Sequence, residues 1–337
     1  VGIPEQSILI AHDHQLGSLT ERAEMMVKLY DYATHVRGVN LILGNGDLNQ
    51  GRNYRRFVIE NAVLGAMGAG QQSRNSTRIL RPFLTHECVQ GVIMLDGNHE
   101  QRSDRDEHGF LFHLGIEATI EEHNRARRKE GKRPIDFRYI QFAVLPNGDM
   151  VDAELAGIPL GPYLLGALHT WSEKGAGKGH GGFPVSHPAS WDYNMGKLSP
   201  FDVFSQAHFH QTNVLVQNDK LFLLLGCTAG TSGFETKRQY QILQPASGIL
   251  HVHSDGRIGV EVVSEKFLDQ YTPQHPDLKQ GVSSFITEAF RFPVHHIDPR
   301  NPEPQKLYHR EPSFIPLKST PGKPPQNLVR VPEGSRS

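Results

Sequence analysis

The stretch Val92 to Glu100, VIMLDGNHE, constrains this chain more than any other. Four apolar residues run straight into Asp96, Gly97, Asn98, His99 and Glu100, the pattern of a buried strand that ends in a loop of polar side chains. Open α/β sheets place their chemistry at such carboxyl strand ends. An Asn amide oxygen can ligate a metal and the adjacent His can give or take a proton, so one short loop offers a ligand and an acid–base group. A loop of this composition is common by itself. Its weight comes from two similar strand ends upstream and two histidine clusters downstream.

Ser7 to Ala11 is a short apolar strand ending in His12-Asp13-His14-Gln15-Leu16-Gly17. Thr20 is placed to cap a helix whose Ala23, Met26, Val27 and Tyr30 recur at helical spacing, and Gly38 stops it. Val39 to Leu43 then repeats the unit, running into Gly44-Asn45-Gly46-Asp47-Leu48. Helices are expected at Tyr54 to Met67 and Thr77 to Val89. Strand, polar loop and helix in succession indicate crossover units on a mostly parallel sheet.

Beyond a charged helical stretch, Ile116 to Arg128, the chain reads differently. Strands are expected at Phe137 to Leu145 and Val151 to Leu155, and Ile158 to Leu168 delivers His169. Lys174 to Gly182 is too glycine-rich for helix or strand and reads as a loop. Phe201 to Phe204 leads to Ala207-His208-Phe209-His210. Val214–Val216, Leu221–Leu225, Ile249–His253 and Ile258–Val263 are short strands, the last two joined at Asp255-Gly256, so the second half supplies a largely antiparallel sheet. Ten of the 22 prolines fall in the last 46 residues, which sets residues 291–337 apart as an extended or disordered tail behind a domain over 1–290.

In chain order the polar strand ends offer carboxylates at Asp13 and Asp47, an amide and an imidazole at Asn98-His99, and imidazoles at His169, His208 and His210. Zinc, iron, manganese and nickel accept such a mixture of oxygen and nitrogen, whereas calcium calls for oxygen alone. Two such ions about 3.5–4 Å apart need a shared carboxylate, and Asp47, on the middle strand end, is the natural bridge. The histidine pair His208 and His210 shares one face of an extended chain, while His251 and His253, without a ligand loop before them, read as surface or pocket residues.

Asp13-x-Gln15-Leu-Gly, Gly46-Asp47, Gly97-Asn98-His99-Glu100, His169 and Ala207-His208-Phe209-His210 together resemble the ordered motifs of the calcineurin-like metallophosphoesterases. The resemblance spans roughly Ser7 to Val263. It implies a four-layer α/β/β/α sandwich of two mixed β-sheets flanked by helices. It also implies two divalent metal ions, one held by Asp13, Gln15, Asp47 and His210 and the other by Asp47, Asn98, His169 and His208. The reaction it implies is attack of a metal-bridged hydroxide on phosphorus, with Asp47 and Asn98 in the catalytic set and His99 protonating the leaving alkoxide.

Two positions depart from the family pattern. The first motif is usually Asp-x-His, but here Gln15 stands third; aligning on His14 instead puts His12 where the Asp belongs. The first alignment is favoured because an acidic ligand offsets dipositive charge and a histidine does not. Gln50 replaces an acidic residue that in many members orients the catalytic His, and Glu100 or Asp96 is placed to substitute.

The Gly-rich loop is neither a Walker A sequence nor a GxGxxG fingerprint. Following His169, it reads as a linker or as a lid whose Lys178 and His180 reach a phosphate; Arg102, after the third loop, is a further substrate contact. The expected substrate is a phosphoester, with a lean to phosphodiesters and nucleic acid; a small-molecule phosphatase and a scaffold that keeps the fold without turnover are the alternatives.

A net charge of −1 gives no global basic field, so any nucleic-acid contact is local. Cys88 and Cys227 follow no zinc-ribbon spacing and read as buried thiols of a reducing compartment. No apolar run reaches the roughly 18 residues of a membrane span, and the start lacks the features of a secretory signal, so a cytoplasmic location is expected.

Overall fold

A computed structural model describes residues 6–16, 22–49, 69–97, 99–100, 113–140, 143–144, 150–151, 156–169, 201–208, 210, 212–229 and 245–290. The expected helix over Tyr54 to Met67, Thr20, Gln50, the Gly-rich loop and the Pro-rich tail lie outside them.

Strands β1 (Gln6–Ala11), β2 (Leu41–Asn45), β3 (Gly91–Leu95) and β4 (Asp136–Ile140) lie parallel and in sequence order. Their connections carry α1 (Ala23–Asp31), which continues into a π turn over Tyr32–Val36, then α2 (Ala69–Leu84) and α3 (His113–Lys129). On the other side of β1, β12 (Ala246–Val252) and β13 (Ile258–Ser264) add two antiparallel strands, giving the order β13-β12-β1-β2-β3-β4. A second sheet has the order β10 (Thr212–Gln217), β11 (Lys220–Leu225), β9 (Val203–Gln206), β8 (Tyr163–Leu168), β7 (Ala156–Leu160). It is mixed, not largely antiparallel: β8, β9 and β11 run parallel, and only the edge hairpins reverse direction. A short pair, β5 (Ala143–Val144) with β6 (Met150–Val151), completes the strands.

Two mixed sheets flanked by helices result, and alternation along the strands explains why. On β1, Ile8 and Ile10 join Leu43, Leu95, Leu165, Phe204, Phe222 and Leu250 in a core shared by the sheets, while Leu9 and Ala11 face α1 and α2 with Ile42, Val92 and Met94. Both faces of the first sheet are thus covered, as its near-continuous apolar strands require. Each fully buried aliphatic side chain contributes about 1.5–3 kcal/mol.

Ala23, Met26, Val27 and Tyr30 are all buried, as the spacing demands, and Gly38 sits just beyond the π turn at φ 58°. Helix α2 starts eight residues before the expected Thr77 and ends at Leu84, not Val89. Its polar first half hides the signal, because Gln72, Ser73, Asn75 and Ser76 are buried polar residues. Pro82 lies in its last turn. The short strands expected around Phe137 to Leu145 include β4 and β5, and Ile158 to Leu168 is covered by the β7–β8 hairpin.

After α4 (Glu265–Gln270) the chain returns to the end of α1, leading on to a 3-10 helix (Pro276–Gln280) and α5 (Val282–Phe290). The wholly buried Asp31 accepts the Tyr271 hydroxyl at 2.6 Å and the backbone N–H groups of Gln274 at 2.7 Å and His275 at 2.8 Å. No helix among the described residues is long and apolar enough to cross a membrane.

Candidate metal centre

The carboxyl ends of β1, β2 and β3 meet the segments that follow β8 and β9 of the second sheet. The loops after β1 and β2 run side by side: Asp13 N–H donates to Gly46 O, Gln15 N–H to Asp47 O and Leu16 N–H to Leu48 O, each at 3.0 Å. Gly97 then closes on the second loop so tightly that a Cβ there would stand 1.9 Å from Asp47 Oδ1 and 2.2 Å from Asp47 N. Glycine at this point of the Gly-Asn-His motif is a packing requirement of Asp47.

Two groups of side chains result. In the first, His210 Nε2 lies 3.2 Å from Asp13 Oδ1 and 3.2 Å from Gln15 Nε2. In the second, ligating atoms of Asp47, His169 and His208 all lie within 4.8 Å of one another, with His169 Nε2 3.1 Å from Asp47 Oδ2. The groups are joined, since the His208 N–H donates to Asp13 Oδ2 at 2.9 Å. His99 closes one side: its N–H donates to Asp47 Oδ1 at 2.9 Å and its Nε2 stands 3.7 Å from Asp47 Oδ2.

The backbone is unusual where these side chains leave it. Seven described non-glycine residues have positive φ, and five of them are Asp13, Gln15, Asp47, His208 and His210. Such conformations cost of order 1–3 kcal/mol each and persist where surrounding contacts hold them, which is the situation at ligand clamps.

Buried charge is balanced within the cluster. Burial opposes ionisation of Asp47, but His169 and His99 outweigh it and hold the carboxyl at about 2. Burial likewise opposes protonation of His169, and Asp47 with Asp13 lifts it to about 9. Asp13 is held well below the usual carboxylate range by His210 and His169 despite its burial. His208 is pushed down to about 4 by burial and by His169.

These residues fit a divalent cation. Among the described residues, Asp47 Oδ2 is a buried oxygen that receives no hydrogen bond. His169 Nδ1 lies 2.9 Å from the Asn45 carbonyl, which orients the ring and turns Nε2 toward Asp47. Oxygen and imidazole donors around two carboxylates are the set that borderline divalent metals take.

His14 and Gln15 face different surroundings. His14 points away from His210: its Nδ1 meets the Thr228 hydroxyl and its Nε2 lies 3.2 Å from Tyr30 Oη. Burial pushes it down to about 3, the condition of a neutral core histidine. Gln15 is the side chain turned to the cluster. His12 serves the same loop, its Nδ1 2.7 Å from Asp13 Oδ2.

Glu100, one of the two acids placed to substitute for an acidic partner of His99, is engaged with backbone N–H groups. One of its oxygens accepts the N–H groups of Asp47 at 2.9 Å and Gly97 at 3.1 Å, and the other accepts that of Asn49 at 2.9 Å. It clamps backbone, a role that no local sequence pattern marks. Asp96 takes the Tyr139 hydroxyl. His251 lies on the first sheet's surface, between Ser7 Oγ at 2.8 Å and Glu261 Oε2 at 3.3 Å. Of the remaining expected site residues, Asn98, Arg102, Lys178 and His180 lie outside the described residues.

The strand-end motifs that resemble those of the calcineurin-like metallophosphoesterases lie at the carboxyl ends of β1, β2 and β3 in a sheet of order β13-β12-β1-β2-β3-β4. No protein-family model and no curated protein matches the sequence. Among solved structures, vacuolar protein sorting 29 from Cryptosporidium parvum aligns at 12% identity over 77% of this chain and 97% of its own, with a TM-score of 0.35. A novel archaeal phosphodiesterase aligns at 11% identity over 77% and 100%, with a TM-score of 0.38. The zinc-complexed vacuolar protein sorting 29 of Entamoeba histolytica aligns at 13% identity over 77% and 99%, with a TM-score of 0.30.

Proposed function

We propose that the chain is a dinuclear-metal-dependent phosphoester hydrolase acting on phosphodiesters, nucleic acid among them. The supporting observation is the convergence on Asp47 of His169, His208 and His99, with Asp13, Gln15 and His210 joined alongside. Asp13, Gln15, Asp47 and His210 would hold one ion, and Asp47, Asn98, His169 and His208 the other. Manganese, zinc, iron and nickel all suit this donor set. Bound there, the metals supply Lewis acidity toward a phosphoryl oxygen and lower the pKa of water from about 16 toward neutrality.

The chain's own groups do the rest. His99, tied by its backbone to Asp47 and 9% exposed, carries a proton at the rim for the departing alkoxide. Arg102, Lys178 and His180 neutralise phosphate charge. A reducing, cytoplasmic setting suits Cys88 and Cys227, which form no disulfide.

One observation favours a second reading, a binding or scaffold module with little turnover: Gln15 brings a neutral amide where the family pattern has an imidazole. The two readings part on one experiment. Chelated protein is given Mn²⁺, Zn²⁺ or Ni²⁺ and assayed on bis-p-nitrophenyl phosphate and p-nitrophenyl phosphate. The hydrolase reading expects metal-dependent turnover that prefers the diester and falls about 100-fold or more in His99→Ala. No turnover with any metal supports the scaffold; turnover indifferent to His99→Ala removes His99 from the acid role; preference for the monoester makes the enzyme a small-molecule phosphatase.

A further inference from the structure

His12 stands between the end of β1 and the first ligand loop. Neighbouring side chains along a strand point to opposite faces, yet Asp13 leaves the strand at φ 51° and its carboxylate meets the ring of the residue before it, with His12 Nδ1 2.7 Å from Asp13 Oδ2. Both side chains are enclosed, at 1% and 0% exposure. A carboxylate only accepts, so His12 Nδ1 is the donor. We propose, on the reading of Asp13 as a metal ligand, that His12 is a positioning residue: it engages one oxygen of Asp13 and so aims the other at the ion.

The two oxygens of Asp13 have different surroundings. Oδ2 accepts from His12 Nδ1 and from the His208 N–H at 2.9 Å, whereas Oδ1 faces His210 Nε2 at 3.2 Å. Two donors on one oxygen fix the rotation of the carboxyl group. Oδ1 is thereby held on the side of His210 and of Gln15, whose Nε2 lies 3.2 Å from the same imidazole nitrogen. A ligand fixed in its bound orientation loses less freedom when the ion arrives, and hydrogen-bonded support behind a ligating carboxylate is the usual means of fixing it. Of the two donors, one is backbone and the other is the His12 side chain, so only the second depends on residue type.

Filling space does not account for this histidine. Among the described residues His12 Nε2 is buried without a hydrogen-bond partner, and enclosing a polar nitrogen in that state opposes folding. A phenyl ring at the same point would carry no such penalty. What the imidazole adds is the Nδ1 contact to Asp13. That contact matters more in this chain because Gln15 is neutral, which leaves Asp13 and the shared Asp47 to supply the negative charge around this ion.

Calorimetric titration of the chelated full chain with Mn²⁺ tests this in wild type, His12→Phe and His12→Asn, because the Asn side-chain amide places a donor near the position of His Nδ1 and Phe has none. The wild type should take up two ions in two steps. His12→Phe should weaken one step about 10–100-fold and leave the other within about threefold, and His12→Asn should keep both within about threefold of wild type. Both steps unchanged in His12→Phe, both weakened alike, or a step lost in His12→Asn would each overturn the proposal and leave the dinuclear centre standing. A wild type that binds no Mn²⁺ would overturn it together with that centre.

Discussion

Glu100 Oε2 accepts the backbone N–H of Asp47 at 2.9 Å, and with the N–H groups of Gly97 and Asn49 on the same carboxylate it locks the loop after β3 against the loop after β2. The position of Asp47 is therefore set by a side chain that needs no contact with a metal or substrate. Removing that carboxylate leaves three N–H groups without their acceptor. Glu100→Ala should lose about 3 kcal/mol of stability and about 10–100-fold in metal affinity. Urea denaturation and metal titration measure the two; an unchanged affinity would deny Glu100 its part in placing Asp47.

Gln15 approaches His210 at 3.2 Å and offers only a neutral amide there. An imidazole in its place is a stronger donor to the same ion. Gln15→His is expected to raise affinity for Mn²⁺ or Zn²⁺ about tenfold and to increase diester turnover at limiting metal. His14→Gln, by contrast, breaks the contacts with Thr228 and Tyr30 and should cost stability and leave metal preference as it was. The opposite pattern would mean that the first motif is read on the wrong residue.

Asp31 carries three hydrogen bonds from the returning chain inside a dry environment. Asp31→Ala orphans the N–H groups of Gln274 and His275 and the Tyr271 hydroxyl. The urea midpoint should fall by the equivalent of about 3 kcal/mol, while the hydrolysis constants of the remaining folded protein hold. A change below about 0.5 kcal/mol would show that water replaces the carboxylate without loss.

His113 stacks on Tyr139 with ring centres 3.5 Å apart, and burial lowers its pKa to about 4. The unfolded chain, with an ordinary histidine, binds more protons between about pH 4 and 6.5, so this residue's share of stability is present above that window and is lost as pH falls through it. Partial exposure limits the loss to about 1 kcal/mol by pH 5. His113→Phe keeps the ring on Tyr139 and should flatten the decline of the urea midpoint between pH 7 and 5. An identical decline in both proteins would assign it to other groups.

The fold was legible where apolar runs met polar strand ends. Ser7–Ala11, Val39–Leu43 and Val92–Leu95 announced β1, β2 and β3 because strands buried on both faces are written in continuous apolar sequence. Helix α2 was misplaced because its first half buries amides and hydroxyls, among them Ser76, whose hydroxyl donates to Asn49. Asp13, Asp47, His208 and His210 stood out as ligand types at strand ends, but their shared positive φ leaves no trace in side-chain identity.

The most direct test of the metal centre is turnover of bis-p-nitrophenyl phosphate by the full chain, stripped by chelator and then resupplied with Mn²⁺ or Zn²⁺, in wild type and in Asp47→Asn. With Asp47 shared between two ions, turnover should vanish on stripping, return with metal in the wild type, and stay about a hundredfold or more lower in Asp47→Asn at any metal concentration. Hydrolysis that persists in chelator, or that Asp47→Asn matches, would contradict it.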